Sequence, residues 1–225
     1  MKPTPDARII DSWHTNASPW TVAVRESQIE SRVLVTNQAI VDAVLSRAPR
    51  SVLDIGCGEG WLLRALDGHG IHGTGVDAVP RLIEDARRRG GGVFRVASYE
   101  QLASGFLDST VDVAVANFSL LGHEPVECLV RYIPRLLAPR GALIVQTLHP
   151  VMTCGELPYE DGWREGSWAG FGDAFTDPAP WYFRTTASWI ALLVSAGLRL
   201  VEMREPLHPT SRKPASAIFI AEATG

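Results

Sequence analysis

Two carboxylates and a glycine turn carry the first chemistry in this chain. The run Val52-Leu53-Asp54-Ile55-Gly56-Cys57-Gly58-Glu59-Gly60 passes from an apolar stretch, through an acid, into three alternating glycines. It reads as a strand, a tight turn and a helix start, the place where open α/β sheets take ligands. Glycine there permits positive φ and lets a ligand lie against bare backbone. A dinucleotide fingerprint would need Gly-x-Gly-x-x-Gly with a pyrophosphate over the helix N-terminus. Here the third glycine comes one position early and Trp61 stands in the expected slot. Asp54 would repel a pyrophosphate, but it suits a ligand carrying an ammonium or a sulfonium. A second acid, Asp77, follows 23 residues later at the end of another strand-like run. Its two acceptor oxygens can hold a pair of ribose hydroxyls, or cap the helix that follows.

Histidine is the natural proton acceptor near neutral pH, and the chain has six: His14, His69, His72, His123, His149 and His208. His69 and His72 flank the start of the second strand, the wrong end of the sheet for ligands, and read as surface residues. His123 and His149 follow the fourth and fifth strands at the ligand-binding end. Each also sits beside a glycine or proline turn, so turn support is the competing role. His208 lies in the loop between the last two strands. The other concentration of chemistry is aromatic. Trp163, Trp168, Phe171, Phe175, Trp181, Tyr182 and Phe183 crowd one segment, with Glu165 and Arg184 among them. They offer flat apolar surface for a planar substrate, or a small satellite core.

The elements that position these residues follow from periodicity. Residues 26–47 repeat apolar side chains at helical spacing and read as one or two helices, stopped by Pro49. Strands are predicted at 51–55, 73–77, 93–97, 111–117 and 141–147. Helices are predicted at 60–67, after Pro80, and over 124–137. Val111 to Asn117 is almost continuously apolar, as expected for the buried middle of a parallel sheet. After residue 149 the alternation stops. Residues 150–181 have no clear period, and a long irregular insertion in a compact domain is usually a functional lid. A helix at 186–196 and strands at 198–203 and 217–222 finish the pattern. The 225 residues suit one unit: an N-terminal helical flap (1–50), a core (51–149), a lid (150–185) and a C-terminal helix with a strand pair (186–225).

Composition narrows the function. Hydrophobic residues make up 46%, enough for a full core, and no apolar run approaches the ~20 residues of a spanning helix. The opening Met1-Lys2-Pro3-Thr4-Pro5-Asp6 lacks the apolar region of a secretory signal, so a cytoplasmic location is expected. A net charge of −4 argues against a general nucleic-acid surface. Three scattered cysteines, with no Cys-x-x-Cys, imply neither a disulfide framework nor a metal site.

The glycine run with its acid resembles motif I of the class I S-adenosylmethionine-dependent methyltransferases. The likeness extends from about Ser51 to Leu148 and is closest to the small-molecule branch related to quinone biosynthesis. It implies an α/β fold, doubly wound, with a mostly parallel seven-stranded sheet, one of whose strands is antiparallel. By this resemblance Asp54 approaches the methionine amino group, and the backbone of Gly56, Cys57 and Gly58 passes beside the methionine. Asp77 holds the ribose, with Ala78 beside the adenosine. The family often has Gly-Asp where Ala97 and Ser98 stand, so the adenine contact falls to the Ser98 hydroxyl, with Tyr99 nearby. Asn117-Phe118-Ser119-Leu120-Leu121 matches the segment that passes the transferring methyl. Arg32 can pair with the methionine carboxylate through a bidentate fork, or lie on a solvated helix face.

The expected function is therefore methyl transfer from S-adenosylmethionine, giving S-adenosylhomocysteine, to a small aromatic or heteroaromatic molecule. His149 and His123 are the candidate bases. Trp163, Glu165, Trp168, Tyr182 and Arg184 are the candidate substrate residues. A non-catalytic S-adenosylmethionine-binding regulator or scaffold is the main alternative. A nicotinamide oxidoreductase is disfavoured by Asp54 and the displaced glycine. The acceptor atom stays open, and the protein is expected to act as a monomer or homodimer.

Overall fold

The computed structural model describes residues 3–224. The Met1-Lys2 start of the N-terminal segment lies outside the described residues. Helix α1 (Pro5–Arg25) starts on Thr4, whose hydroxyl accepts from the Ala7 N–H, and carries Pro5 in its first turn. A π-helical turn at Arg32–Thr36 leads into α2 (Asn37–Leu45). The stretch read as one or two helices over 26–47 holds this turn and α2, and the longest helix lies before it, in the segment expected as a helical flap.

Strands β1 (Ser51–Ile55), β2 (His72–Asp77) and β3 (Val93–Val96) alternate with α3 (Trp61–Asp67), α4 (Pro80–Arg89) and α5 (Tyr99–Ala103). Strand β4 (Val111–Asn117) is followed by α6 (Glu124–Tyr132) and then β5 (Leu137–Thr147). The predicted helix over 124–137 stops early. Pro134, which has no N–H to donate, lies in a 3-10 turn at Ile133–Leu136, and β5 begins directly after it. Beyond β5 come a short α7 (Pro150–Thr153), a hairpin of β6 (Gly162–Arg164) and β7 (Trp181–Phe183), α8 (Thr186–Ser195), β8 (Leu198–Arg204) and β9 (Ala217–Ala223).

The central sheet has seven strands in the order β3-β2-β1-β4-β5-β9-β8. The first five are parallel, while β9 runs antiparallel to both β5 and β8. Crossover helices cover both faces, which is why the middle strands are apolar on both sides. On one face Ile40, Leu62, Leu66 and Ile83 pack against Val52, Val113, Ile144 and Ile220. On the other, Leu102, Leu129, Trp189 and Leu193 pack against Leu53, Ala114, Leu143 and Phe219. Chain order reverses between β1 and β4, so the ligand crevice is expected above their carboxyl ends. No helix among the described residues is long and apolar enough to cross a membrane.

Candidate functional site

The β1–α3 turn is fixed by backbone bonds before any ligand is considered. Gly56 and Cys57 N–H groups both donate to the Val76 carbonyl, at 2.8 and 3.0 Å. Gly56 has φ +72°, and a Cβ there would lie 2.4 Å from the Cβ of Ser119. Ser119 in turn donates its hydroxyl to the Ile55 carbonyl at 2.6 Å and accepts from Tyr99 Oη through its own carbonyl at 2.9 Å. The carboxyl ends of β1, β3 and β4 are thus tied together under the turn. Cys57 contributes only backbone there. Its sulfur is buried beneath Gly75, and burial pushes the thiol well up, so it is no nucleophile.

Asp77 sits at the end of β2. One carboxylate oxygen accepts from the Val79 N–H and the other from the Gly58 N–H, both at 2.9 Å. Each oxygen keeps a second lone pair for a hydroxyl. Ala78 is half-buried beside it, and buried Ala97 donates its N–H to the Asp77 carbonyl at 3.0 Å. Ser98 is the N-cap of α5 in a capping box with Gln101, so one lone pair of its hydroxyl is already engaged.

Electrostatics single out Asp54 and Arg32. Asp54 is only 2% exposed. Burial pushes its carboxyl up to about 8, the negative Asp77 adds to this, and Arg32 opposes it. Arg32 is 8% exposed, and its guanidinium lies 4.9 Å from the Trp61 ring centroid and 5.4 Å from that of Trp20. Its Nε donates to Asn37 Oδ1 at 3.1 Å, but Nη2 is buried with no partner. Burial lowers its pKa to about 10, so it stays charged at neutral pH. A buried charged donor without a partner and a buried acid are each costly until a ligand supplies an anion and a cation. Neighbouring Glu59 is not free: Arg64 Nη2 lies 2.6 Å from both its carboxylate oxygens, and Arg25 Nε is at 3.4 Å.

More unpartnered polar atoms lie where β4 and β5 end. Asn117 and Gln146 are paired in register, and Asn117 Oδ1 and Gln146 Oε1 are both buried without hydrogen bonds. Gln146 Nε2 donates to the Thr36 carbonyl of the π-helical turn at 3.2 Å, and Thr36 Oγ1 is likewise unsatisfied. Phe118 is half-buried at φ +54°, strained backbone of the kind that collects at ligand clamps. Sequence reading passed over Gln146 and Thr36. The available signal was a lone amide at the end of the apolar run Ala142 to Val145.

The two histidines have different surroundings. His149 is 5% exposed, and its Nε2 is 2.6 Å from Glu205 Oε1. His123 is partly exposed, stacks on Tyr182 with ring centroids 4.0 Å apart, and faces Glu127 at 3.4 Å. His208 accepts from the Thr210 and Ser211 N–H groups and shapes its own loop.

The aromatic and charged residues of 150–185 divide into two groups. Trp163 meets Tyr182 edge-on at 5.4 Å, beside His123. Arg184 is buried and spends its donors on the carbonyls of Gly122 and His123, at 2.8 and 3.1 Å, with its guanidinium over Tyr182 and Trp189. It holds the β4–α6 loop in place rather than presenting a free cation. Trp168 packs with Phe171 and Phe175 and reaches Trp13 of α1 at 5.8 Å, in a seam between this segment and the helix. Glu165 is exposed and makes no side-chain hydrogen bond or ion pair among the described residues. Helix α1 spans the site: the His123 N–H donates to Asp6 at 2.8 Å, Trp20 Nε1 lies 3.6 Å from where a Gly58 Cβ would be, and Arg25 meets Glu59.

This geometry can be set beside known proteins. A methyltransferase domain model matches residues 53–145. Over 122 residues the chain is 35% identical to a ubiquinone biosynthesis O-methyltransferase of Xylella fastidiosa, covering 50% of this chain and 49% of that protein. Over 153 residues it is 29% identical to a malonyl-[acyl-carrier protein] O-methyltransferase of Halorhodospira halophila, covering 63% and 48%. The chain spans about half the length of the curated relatives it matches. Among solved structures, an S-adenosylmethionine-dependent methyltransferase from Mesorhizobium loti superposes with a TM-score of 0.61 at 21% identity, covering 80% of this chain and 96% of that one. A magnesium protoporphyrin IX methyltransferase from Synechocystis, with bound SAH, gives 0.60 at 16% identity, covering 87% and 84%. At these identities the structural likeness establishes the fold.

Proposed function

We propose that the chain is a class I S-adenosylmethionine-dependent methyltransferase that methylates a small aromatic or heteroaromatic molecule, a reading supported by the methyltransferase domain match over residues 53–145 and the O-methyltransferase relatives. The observation that carries the reading is buried Asp54, pushed up to about 8, together with buried Arg32, whose Nη2 has no partner and whose charge acts on Asp54. One site asks for a cation and an anion together, as the amino-acid end of S-adenosylmethionine provides.

The residues present fit that group. Arg32 would take its carboxylate, and Asp54 would face its ammonium from beneath. The Gly56–Gly58 backbone would run alongside. Asp77 would accept from the ribose hydroxyls on its spare lone pairs, with Ala78, Ala97, Ser98 and Tyr99 around the adenosine. Asn117 and Phe118 would face the reacting end. When bound, S-adenosylmethionine supplies an electrophilic methyl on a sulfonium that departs as a neutral thioether. The chain's own work is to place an acceptor in line, to exclude water, and to take a proton if the acceptor is a hydroxyl. His149, at the end of β5, is the proton acceptor in this reading. Trp163 and Tyr182, set edge-on beside His123, supply aromatic surface for the substrate in this reading. The net charge of −4 favours a diffusible substrate over nucleic acid.

The test is calorimetric titration with S-adenosylmethionine, followed by assay of S-adenosylhomocysteine against a panel of hydroxylated aromatic acceptors. Binding with product formation supports the proposal. Binding without product from any acceptor favours the non-catalytic alternative, and absence of binding removes both.

A further inference from the structure

We propose that Glu205 is a positioning residue that fixes the tautomer of His149, making Nδ1 the atom that takes a proton from an acceptor hydroxyl. The inference rests on the methyl-transfer reading and names the proton's path within it. Its basis is the environment of the two ring nitrogens. Nε2 lies 2.6 Å from Glu205 Oε1, whereas Nδ1 is buried with no hydrogen-bond partner. A carboxylate accepts only, so the shared proton belongs to Nε2 and Nδ1 carries the lone pair. A ring protonated on both nitrogens would bury an Nδ1–H with nothing to receive it, which is costly. Both arguments assign the same tautomer.

The pair is held rigidly from both sides. His149 precedes α7, and its carbonyl accepts from the Thr153 N–H and hydroxyl, each at 3.0 Å. Glu205 follows directly on β8, in a loop pinned by the Ala215 N–H donating to the Pro206 carbonyl at 2.8 Å and by a Leu207–Pro214 bridge. The Glu205 side chain is 53% exposed, so one end of the dyad meets water while Nδ1 faces inward. Among the described residues no other ionisable side chain forms an ion pair with His149 or with Glu205. A buried lone pair with no donor in the protein is suited to accept from a hydroxyl of the acceptor molecule. In the step itself, the O–H proton passes to Nδ1 as the oxygen forms its bond to the methyl carbon. The carbon–sulfur bond breaks and its electron pair stays on sulfur. The resulting imidazolium is stabilised by the Glu205 carboxylate until its proton is lost to water.

The test has two readouts. The first is long-range nitrogen–proton NMR of the His149 ring in the unmodified protein at neutral pH, compared with Glu205→Ala and Glu205→Gln. The Nε2–H tautomer is expected in the unmodified protein. It should be retained in Glu205→Gln, whose amide oxygen still accepts, and mixed with the other tautomer in Glu205→Ala. The second is turnover of 3,4-dihydroxybenzoate and related catechols. Both variants should lose about tenfold or more in kcat, with cofactor affinity and acceptor KM held. Because Glu205 is exposed, both variants are expected to fold. An Nδ1–H or imidazolium signal in the unmodified protein, an unchanged tautomer in Glu205→Ala, or unaltered kcat in both variants would overturn the proposal. Failure of the underlying methyl-transfer reading shows separately, as absence of cofactor binding by the unmodified protein.

Discussion

Asn16 and Thr176, 160 positions apart, form a reciprocal pair: Asn16 Nδ2 donates to the Thr176 carbonyl at 2.8 Å, and the Thr176 N–H donates to Asn16 Oδ1 at 3.0 Å. Ser12 extends the seam by donating to the Asp177 carbonyl at 2.6 Å. A side-chain amide thus treats the backbone at Thr176 as a strand would, and it joins the segment after β5 to α1, which crosses the glycine turn.

The Asn16→Ala variant is expected to lose both bonds made by the buried Asn16 amide and leave the Thr176 N–H without this partner. Stability should fall by roughly 1–3 kcal/mol. The rate of S-adenosylmethionine dissociation should rise, because α1 and the segment after β5 are held together by this seam. Thermal unfolding and stopped-flow release measure the two effects. Unchanged release from a destabilised variant would separate the seam from cofactor retention.

Asp54 makes the unliganded protein pH-sensitive. Its carboxyl moves from an ordinary value of 3.8 to about 8 on folding. Between those values the folded state holds a proton that the unfolded state has released. Stability therefore falls as pH rises from about 4 to about 8, by at most roughly 1.4 kcal/mol per pH unit from this group. Asp54→Asn should flatten that slope and unfold at higher denaturant at pH 8, while binding S-adenosylmethionine more weakly. Denaturation of both proteins at pH 5 and pH 8 measures the difference. An equal pH slope in the two would assign the sensitivity elsewhere.

For Asp77, alanine removes the acceptors of Val79 and Gly58 together with the proposed ribose contacts. Cofactor affinity should drop by about 2–4 kcal/mol, thirty-fold or more. Calorimetry on the folded variant decides. An unchanged dissociation constant would take Asp77 out of the ribose site.

The two histidines should separate on substitution. His149→Ala is expected to cut kcat by about 10²–10⁴-fold with cofactor affinity kept. His123 stacks on Tyr182 and pairs with Glu127, so His123→Ala should cost under about tenfold. Single-turnover rates with a hydroxyl acceptor compare them directly. Equal losses would mean that both rings act on the substrate.

Much of the frame was readable because its signals are local. The nine residues from Val52 to Gly60 announce a strand, an acid and a turn in one stretch, and β1 and α3 lie where they point. Pro80 and Gly90 bracket α4, and the apolar run of β4 gave its central place in the sheet. Where two signals competed, the reading failed. Continued helical spacing past Tyr132 hid the turn at Pro134.

The sequence by itself determined the fold class, the carboxyl-end location of the acids and glycines, and the list of side chains able to do chemistry there. These depend on backbone conformation and on period, which neighbouring residues set. Only the tertiary structure decided which of those side chains are still free. Arg184 spends its donors on the Gly122 and His123 carbonyls, and Trp168 is absorbed by Trp13, Phe171 and Phe175. Arg32 keeps an unpaired nitrogen in a buried site, and His149 gains Glu205, 56 positions away. A hydrogen bond needs both partners within about 3 Å, and no spacing along the chain records which distant donor arrives.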